Sequence, residues 1–495
     1  MNMKATQGKQ QPLGKKHFDG QQHHDPKRNK KHQFDPSERS AEMLRDGERI
    51  IITIKRMGIN GEGVGYYRRK AVFIEGALTG EVVHAKVKQV EPSYILAELV
   101  EIEKRSADRV QPACPMYGRC GGCQLQHMSY SGQLKAKEEI VREAFNRYTA
   151  IEDLKIKPVI GMNNPWQYRN KAQLQLGYQG DQLMAGLYEA GSHQLVDVTA
   201  CPVQHPKVNR AVKNMKKILK DLRIPVYKER GGDKGYVRNI VVRAGVQSGE
   251  LQVTLITGTK QLPKMEAIIT AVRRALPQVT TIAHNINTLK TPLIFGDTTH
   301  ILRGKPTIKD SLGSFRVELS PRAFFQLNPE QTVKLYDAVR EAAGLTGRET
   351  LIDAYCGTGT IGLWLAPYAR EVRGIEVIPE AVEDAKRNAD QNGIKNAQFY
   401  TGKAEEWMRS WFQQGYKPDV VVVDPPRTGL DDQFLRVIMR TKPSKLVYVS
   451  CNPSTLAKDC KQLIEGGYEL KWVQPVDMFP QTSHVECCSL IVRKD

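Results

Sequence analysis

Four short segments in the last third of the chain hold the residue types that do chemistry. They are Asp353-Ala-Tyr-Cys-Gly-Thr-Gly-Thr-Ile-Gly362, Asp424-Pro-Pro-Arg427, Ser450-Cys451-Asn452-Pro453 and His484-Val-Glu486. Three of them follow apolar runs, Leu351-Ile352, Val420 to Val423 and Leu446 to Val449, the pattern of buried parallel strands handing over to loops. Open α/β sheets bind ligands at that edge. A glycine-rich loop, carboxylates and a cysteine on one sheet edge point to covalent group transfer.

Gly357-Thr-Gly359-Thr-Ile-Gly362 matches the dinucleotide pattern G-x-G-x-x-G, so a nicotinamide or flavin enzyme is the default. The neighbouring acids argue for another ligand. Asp353 stands at the strand end before the loop, Asp424 ends a later strand, and both would repel a pyrophosphate. They suit the ammonium and sulfonium of S-adenosylmethionine, while Glu376, closing the strand after the loop, can accept the two hydroxyls of a ribose. Asp424-Pro-Pro holds its carboxylate on a backbone that cannot relax into helix, as suits an active site. Asp-Pro-Pro loops also serve enzymes that methylate exocyclic amines.

Cys451 narrows the chemistry. A nitrogen acceptor has its own lone pair, whereas C5 of a pyrimidine becomes nucleophilic only after a thiolate adds at C6. A base must then remove the C5 proton, and Glu486 is the candidate. Its alternative is an exposed position on the terminal strand. Cys487 and Cys488 are rival nucleophiles by proximity, but the run Cys488-Ser-Leu-Ile-Val492 reads as buried strand. Cys356 and Cys460 read as packing residues.

A second constellation lies upstream. Cys114, Cys120 and Cys123 fall within ten residues, with glycines at 118, 121 and 122, and Cys201 is the one further cysteine before the last domain. Four thiolates can hold a [4Fe-4S] cluster or zinc, and the lack of a second short Cys pair favours the cluster.

These sites need positioning elements. Residues 1–42 are polar and basic and read as a solvated arm. Residues 43–104 show short β-rich runs punctuated by glycines, the pattern of a small β-barrel, with Tyr66-Tyr67-Arg68-Arg69-Lys70 as a basic and aromatic patch. Residues 105–308 mix strands and helices, with helical patterns at Gln133 to Tyr148 and Val208 to Leu222. Residues 309–495 alternate strand and helix, which predicts a parallel sheet. The fold class is multidomain α/β. No apolar run reaches the length of a membrane span, and the amino terminus lacks the apolar stretch of a signal peptide, so a cytoplasmic protein is expected. The net charge is +19. Residues 1–40 hold nine Lys/Arg and four Asp/Glu, a net +5, so the body keeps +14. That excess predicts a polyanionic partner.

Taken together, Phe324-Phe-Gln-Leu-Asn328 and the four motifs resemble the signatures of the bacterial RNA uracil-C5 methyltransferases, the group of RlmD, RlmC and TrmA. The barrel is similar to a TRAM domain, of OB-like type. The resemblance implies a Rossmann-like catalytic domain that uses S-adenosylmethionine, with cofactor contacts from Gln326, Tyr355, Glu376 and Asp424. It implies Cys451 as nucleophile, Glu486 as proton acceptor and Asp424 also facing the uracil. In the 23S rRNA-directed RlmD or RlmCD branch the four cysteines hold a [4Fe-4S] cluster. The tRNA-directed branch generally lacks barrel and cluster, so 23S rRNA is the expected substrate and a monomer the expected state. Three rivals stay open: a tRNA uracil-C5 enzyme, an amine-directed RNA methyltransferase and a non-catalytic RNA-binding or ribosome-assembly protein.

Overall fold

The structure is a computed structural model that describes residues 44–198, 200–227, 235–291 and 293–494. The expected solvated arm, 1–42, lies outside the described residues.

The first body is a six-stranded β-barrel. In sheet order its strands are Arg49–Thr53, Val82–Val90, Tyr94–Lys104, Lys70–Ile74, Gly63–Tyr67 and Arg56–Met57. Alternation builds its core: Ile50 and Ile52 are buried while Ile51 between them is 59% exposed. Gly65 is obligatory here, since a Cβ would fall 2.2 Å from Ile52 Cγ2. The patch at Tyr66 to Lys70 is a tight hairpin whose central Arg68 and Arg69 both have positive φ, the conformation that matches strand twist. Buried Met57 and Leu78 seat the barrel on Leu125, Met128 and Ala136 of the following segment.

Residues 105–308, expected as one central domain, are divided in space. Strands from Lys171–Gln179 to Thr298–Gly304 form a seven-stranded, mostly antiparallel sheet. The helix Pro206–Asp221 covers it with Val208, Ala211, Val212, Met215 and Leu219, one apolar stripe at three- and four-residue spacing. The earlier helix Tyr130–Tyr148 instead sends Ile140, Val141, Ala144 and Phe145 into a core of the catalytic domain, packing on the helix Pro453–Glu465 and the strand Tyr468–Val476. Ile156 and Ile160 then bridge to Val473 and Val476 at that sheet's edge.

The catalytic sheet has seven strands in the order Ala397–Thr401, Glu371–Glu376, Thr350–Ala354, Val420–Val423, Lys445–Ser450, Glu486–Arg493, Tyr468–Val476. Its centre is parallel and buried on both faces. Val420 and Val422 pack into one core, Val421 and Val423 into the other. The expected parallel sheet carries one reversed strand: Glu486–Arg493 runs antiparallel between its two neighbours. The chain turns back after Val476, so this strand begins at the edge where the parallel strands end. No helix among the described residues is long and apolar enough to cross a membrane.

Candidate active site

The reversed strand places Glu486. Its ladder with Lys445–Ser450 ends at the pair Ser450 and Cys487, so the next register position sets Glu486 against Cys451. Cys451 lies between strand and helix. Asn452 caps the helix Pro453–Glu465 by accepting from Ser454 N, with Pro453 as its first residue. The Asp424-Pro-Pro-Arg427 loop is tied to the same turn, since Asn452 Nδ2 and Thr455 Oγ1 both donate to Arg427 O, at 3.1 and 3.3 Å. Arg427 Nη2 donates to His484 Nε2 across 3.2 Å. Burial and the Arg427 charge hold that imidazole down to about 4, so it is neutral and free to accept.

The reacting groups share one field. Burial pushes Cys451 up to about 11, with the Glu486 and Asp424 charges adding to the rise and Arg427 opposing it. Burial, then Asp424, lifts Glu486 to about 8, again against Arg427. Asp424 rises to about 7 through burial. The structure thus brings Cys451, Glu486 and Asp424 together, and corrects the exposed alternative for Glu486, which is 4% exposed.

The glycine-rich loop lies beside them. Tyr355 adopts φ +64°, a left-handed conformation strained for an aromatic residue, with its ring against Phe434. Gly357, at φ +55°, has nothing within 4 Å of where a Cβ would sit, so the loop bows around open space. Gly357 N donates to Glu376 Oε2 at 3.0 Å and Ile378 N to Glu376 Oε1 at 3.0 Å, which aims the acid along the loop. Val377 and Ile378 beyond it are 58% and 45% exposed, an apolar rim. Asp353 departs from expectation: it does not line the cleft but is 0% exposed beneath the loop, where Oδ2 accepts from Gly362 N at 2.7 Å. Its Oδ1 is buried without a partner, and burial lifts the group to about 8. Gln326 is buried, and Asn170 Nδ2 donates to its carbonyl at 3.1 Å. A bowed loop, an aimed acid and an apolar rim fit a nucleoside donor, and the buried carboxyl beneath them supports the loop.

The cysteines assemble elsewhere. Cys120 feels Cys114, Cys123 feels Cys201 and Cys120, and Cys201 feels Cys114, so the distant fourth residue joins the other three. All four are half-buried. The expected four-cysteine site for a cluster or zinc is not shown: among the described residues no group of three or more His, Cys, Asp or Glu is arranged to hold a metal ion. Distance in sequence from the sheet edge does not mean separation in space. Gln124 N and Leu125 N both donate to Gln481 O, at 3.1 and 3.0 Å, in the segment leading to Glu486.

Sequence reasoning missed what holds that segment. Lys137 Nζ meets Asp477 Oδ1 at 2.5 Å with both side chains 0% exposed, and Tyr130 OH donates to Asp477 Oδ2 at 3.0 Å. Gln133 and Gln481 exchange hydrogen bonds of 3.0 and 2.9 Å. The available signal was Gln133 and Lys137 on the helix stripe shared with Ala136, Ile140 and Val141, where a solvated helix places none.

Comparison with known proteins agrees with this geometry. Residues 129–494 match the family tRNA (Uracil-5-)-methyltransferase, and residues 44–100 match the TRAM domain. An uncharacterized RNA methyltransferase of Halalkalibacterium halodurans is 54% identical over 91% of this chain and 97% of its own. One of Bacillus cereus is 51% identical over 91% and 98%. Among solved structures, Pyrococcus abyssi tRNA (uracil-54, C5)-methyltransferase in complex with S-adenosyl-L-homocysteine superposes with a TM-score of 0.70. It is 27% identical and covers 89% of this chain and 99% of its own.

Proposed function

Because this chain belongs to the tRNA (Uracil-5-)-methyltransferase family, we propose that it methylates C5 of a uridine in 23S rRNA. The donor is S-adenosylmethionine, and the reaction runs through a transient bond from Cys451 Sγ to C6. The observation that carries this reading is the register that sets Glu486 against Cys451 with Asp424 in the same field. An amine-directed enzyme needs neither thiol nor second acid, and a non-catalytic RNA-binding protein needs none of the three.

Glu376, Tyr355, Gly357, Gln326 and Asp424 would hold the donor, with Asp353 supporting the loop from below. Bound S-adenosylmethionine supplies an electrophilic methyl group next to the acids. Cys451 releases its proton to water, favoured by the Arg427 charge, and its sulfur pair forms the bond to C6. The C5–C6 π pair moves onto C5 and the C4 oxygen; from C5 it would bond the donor's methyl carbon while the methyl–sulfur pair stays with the donor sulfur, which leaves as S-adenosylhomocysteine. Glu486, as carboxylate, then removes the C5 proton. The C–H pair re-forms the C5–C6 double bond and the C6–S pair departs with sulfur. A carboxyl group lifted to about 8 is a stronger base than an exposed one, which suits this carbon acid. Extruding the uridine costs a few kcal/mol, offset by phosphate contacts on a basic surface.

The four cysteines are the proposed ligands of a [4Fe-4S] cluster, which spaces its thiolates more widely than a single ion does. Iron and sulfide analysis with broad visible absorbance tests this, and Cys201→Ser should lose both signals. The working divisions are 43–104, 105–308 and 309–495, with 130–160 counted with the sheet they pack on. The second reading is a tRNA substrate. It is favoured by the Pyrococcus enzyme's fit over 89% of this chain, a span too long to leave out the barrel, so the barrel by itself does not discriminate. Mapping 5-methyluridine in a deletion strain decides: loss from 23S rRNA is expected, loss from tRNA selects the second reading, and no loss from either overturns both.

A further inference from the structure

Tyr168-Arg169-Asn170-Lys171 leads into the central sheet, whose first strand starts at Lys171. Asn170 is buried and held on three sides. Its N–H donates to Leu327 O at 2.9 Å, its amide to Gln326 O at 3.1 Å, and its carbonyl accepts from Ala244 N at 2.8 Å. This segment therefore rests on the one that carries Gln326. Strand alternation turns Arg169 and Lys171 away from the side that Asn170 uses, and the ladder pairs Lys171 with Arg243.

Three cations meet at this corner, and the protein supplies little to neutralise them. Arg243 donates to the carbonyls of Ser320 and Ala323. Asp384, whose charge reaches it, is already engaged by Arg387 and Ser320. Among the described residues no ion pair or side-chain hydrogen bond engages Arg169 or Lys171. Arg169 lies in the field of Cys120, Cys123 and Cys201 on one side and of His484 on the other. His484 in turn accepts from Arg427, so the corner leads toward Cys451. Burial, then Arg243 and Arg169, draws Lys171 down to about 7. Lys171 and Arg169 are both half-buried, and a half-buried ammonium without a partner costs stability that a bound anion would return.

We propose that Lys171 and Arg169 form a phosphate-binding recess that grips the RNA backbone beside the nucleotide presented to Cys451. This rests on the RNA-methylation reading above. Lysine provides a point charge and arginine a planar fork, the pair of donors that phosphate oxygens accept. Holding the backbone there fixes the pivot about which the uridine turns out.

The test is Lys171→Met in the full-length holoprotein, which keeps the stem and removes the charge. Filter binding of protein-free 23S rRNA and of bulk tRNA is followed across a KCl series, beside thermal melting and S-adenosylmethionine binding. The expected variant binds RNA about tenfold more weakly, with a salt slope shallower by about one. It also melts higher than the parent, binds S-adenosylmethionine unchanged, and shows a raised KM for RNA at unaltered kcat. Lys171→Arg should restore the slope. Unchanged RNA affinity and slope, or a lower melting point, would overturn the recess, the latter because it means the ammonium is already engaged within the protein. So would stabilisation of the parent by inorganic phosphate, at matched ionic strength, in a protein whose RNA slope ignores the substitution. If the parent forms no 5-methyluridine in either RNA, the methylation reading fails, while the binding series still decides the recess.

Discussion

Asp477 and Glu486 are buried acids nine residues apart on one segment, and the protein treats them in opposite ways. Asp477 has Lys137 and the Tyr130 hydroxyl on its two oxygens. Among the described residues Glu486 has no cation in contact, only the field of Arg427, and it shares its recess with Asp424 and Cys451. A buried charge with a complete set of partners holds structure together, whereas buried acids set against one another store a demand for a positive ligand. The lysine pair anchors the segment so that the unpaired acid is aimed.

The largest effect should separate the two clusters by activity. Cys451→Ala should take methylation below detection while leaving S-adenosylmethionine binding intact, and Glu486→Gln should accumulate a covalent RNA adduct visible on denaturing gels. A 5-fluorouridine substrate should trap the parent in the same way, because fluorine cannot leave as a proton. Full turnover in the alanine variant, or no adduct in the glutamine variant, would contradict the assigned roles.

Stability should divide them next. Asp477→Asn strands the Lys137 ammonium and should cost about 3–5 kcal/mol in denaturant unfolding. Lys137→Met with Asp477→Leu should cost less than either change alone. The same acid-to-amide change at Asp424 should leave stability equal or raise it by about 1 kcal/mol while removing activity. A matching loss at both positions would erase the distinction.

The smallest effect concerns pH. Asp424 and Glu486 stand near 7 and 8 in the free protein, so at neutral pH Glu486 is mostly protonated and Asp424 about half so. A bound sulfonium favours their ionised forms, so binding S-adenosylmethionine should release protons. Its affinity should rise with pH, by up to about a hundredfold per unit well below pH 7 where two protons leave, less steeply between 7 and 8, and level off above about 8. Calorimetry in buffers of different ionisation enthalpy measures the release; a flat profile from pH 6 to 8 would leave the recess without its cation.

Much of this was legible in the chain because the relevant signals are local. Four valines in a row bounded by aspartates fit a strand buried on both faces, the two prolines after it disfavour its continuing, and thiols within ten residues with glycines between them can fold together. The barrel alternation, the helix stripe at Val208 to Leu219 and the residues that could react with a pyrimidine follow from composition and spacing. Only the tertiary structure decided that the last strand runs backwards, which sets Glu486 against Cys451 instead of on an exposed edge. It also sank Asp353 beneath the loop, moved the helix Tyr130–Tyr148 onto the catalytic sheet, and laid the cysteine loop against Gln481. The physical reason is that periodicity states which face of an element is apolar, while strand direction and the partner of a buried charge depend on groups hundreds of residues away. Lys137 and Asp477 find each other only once the chain has closed.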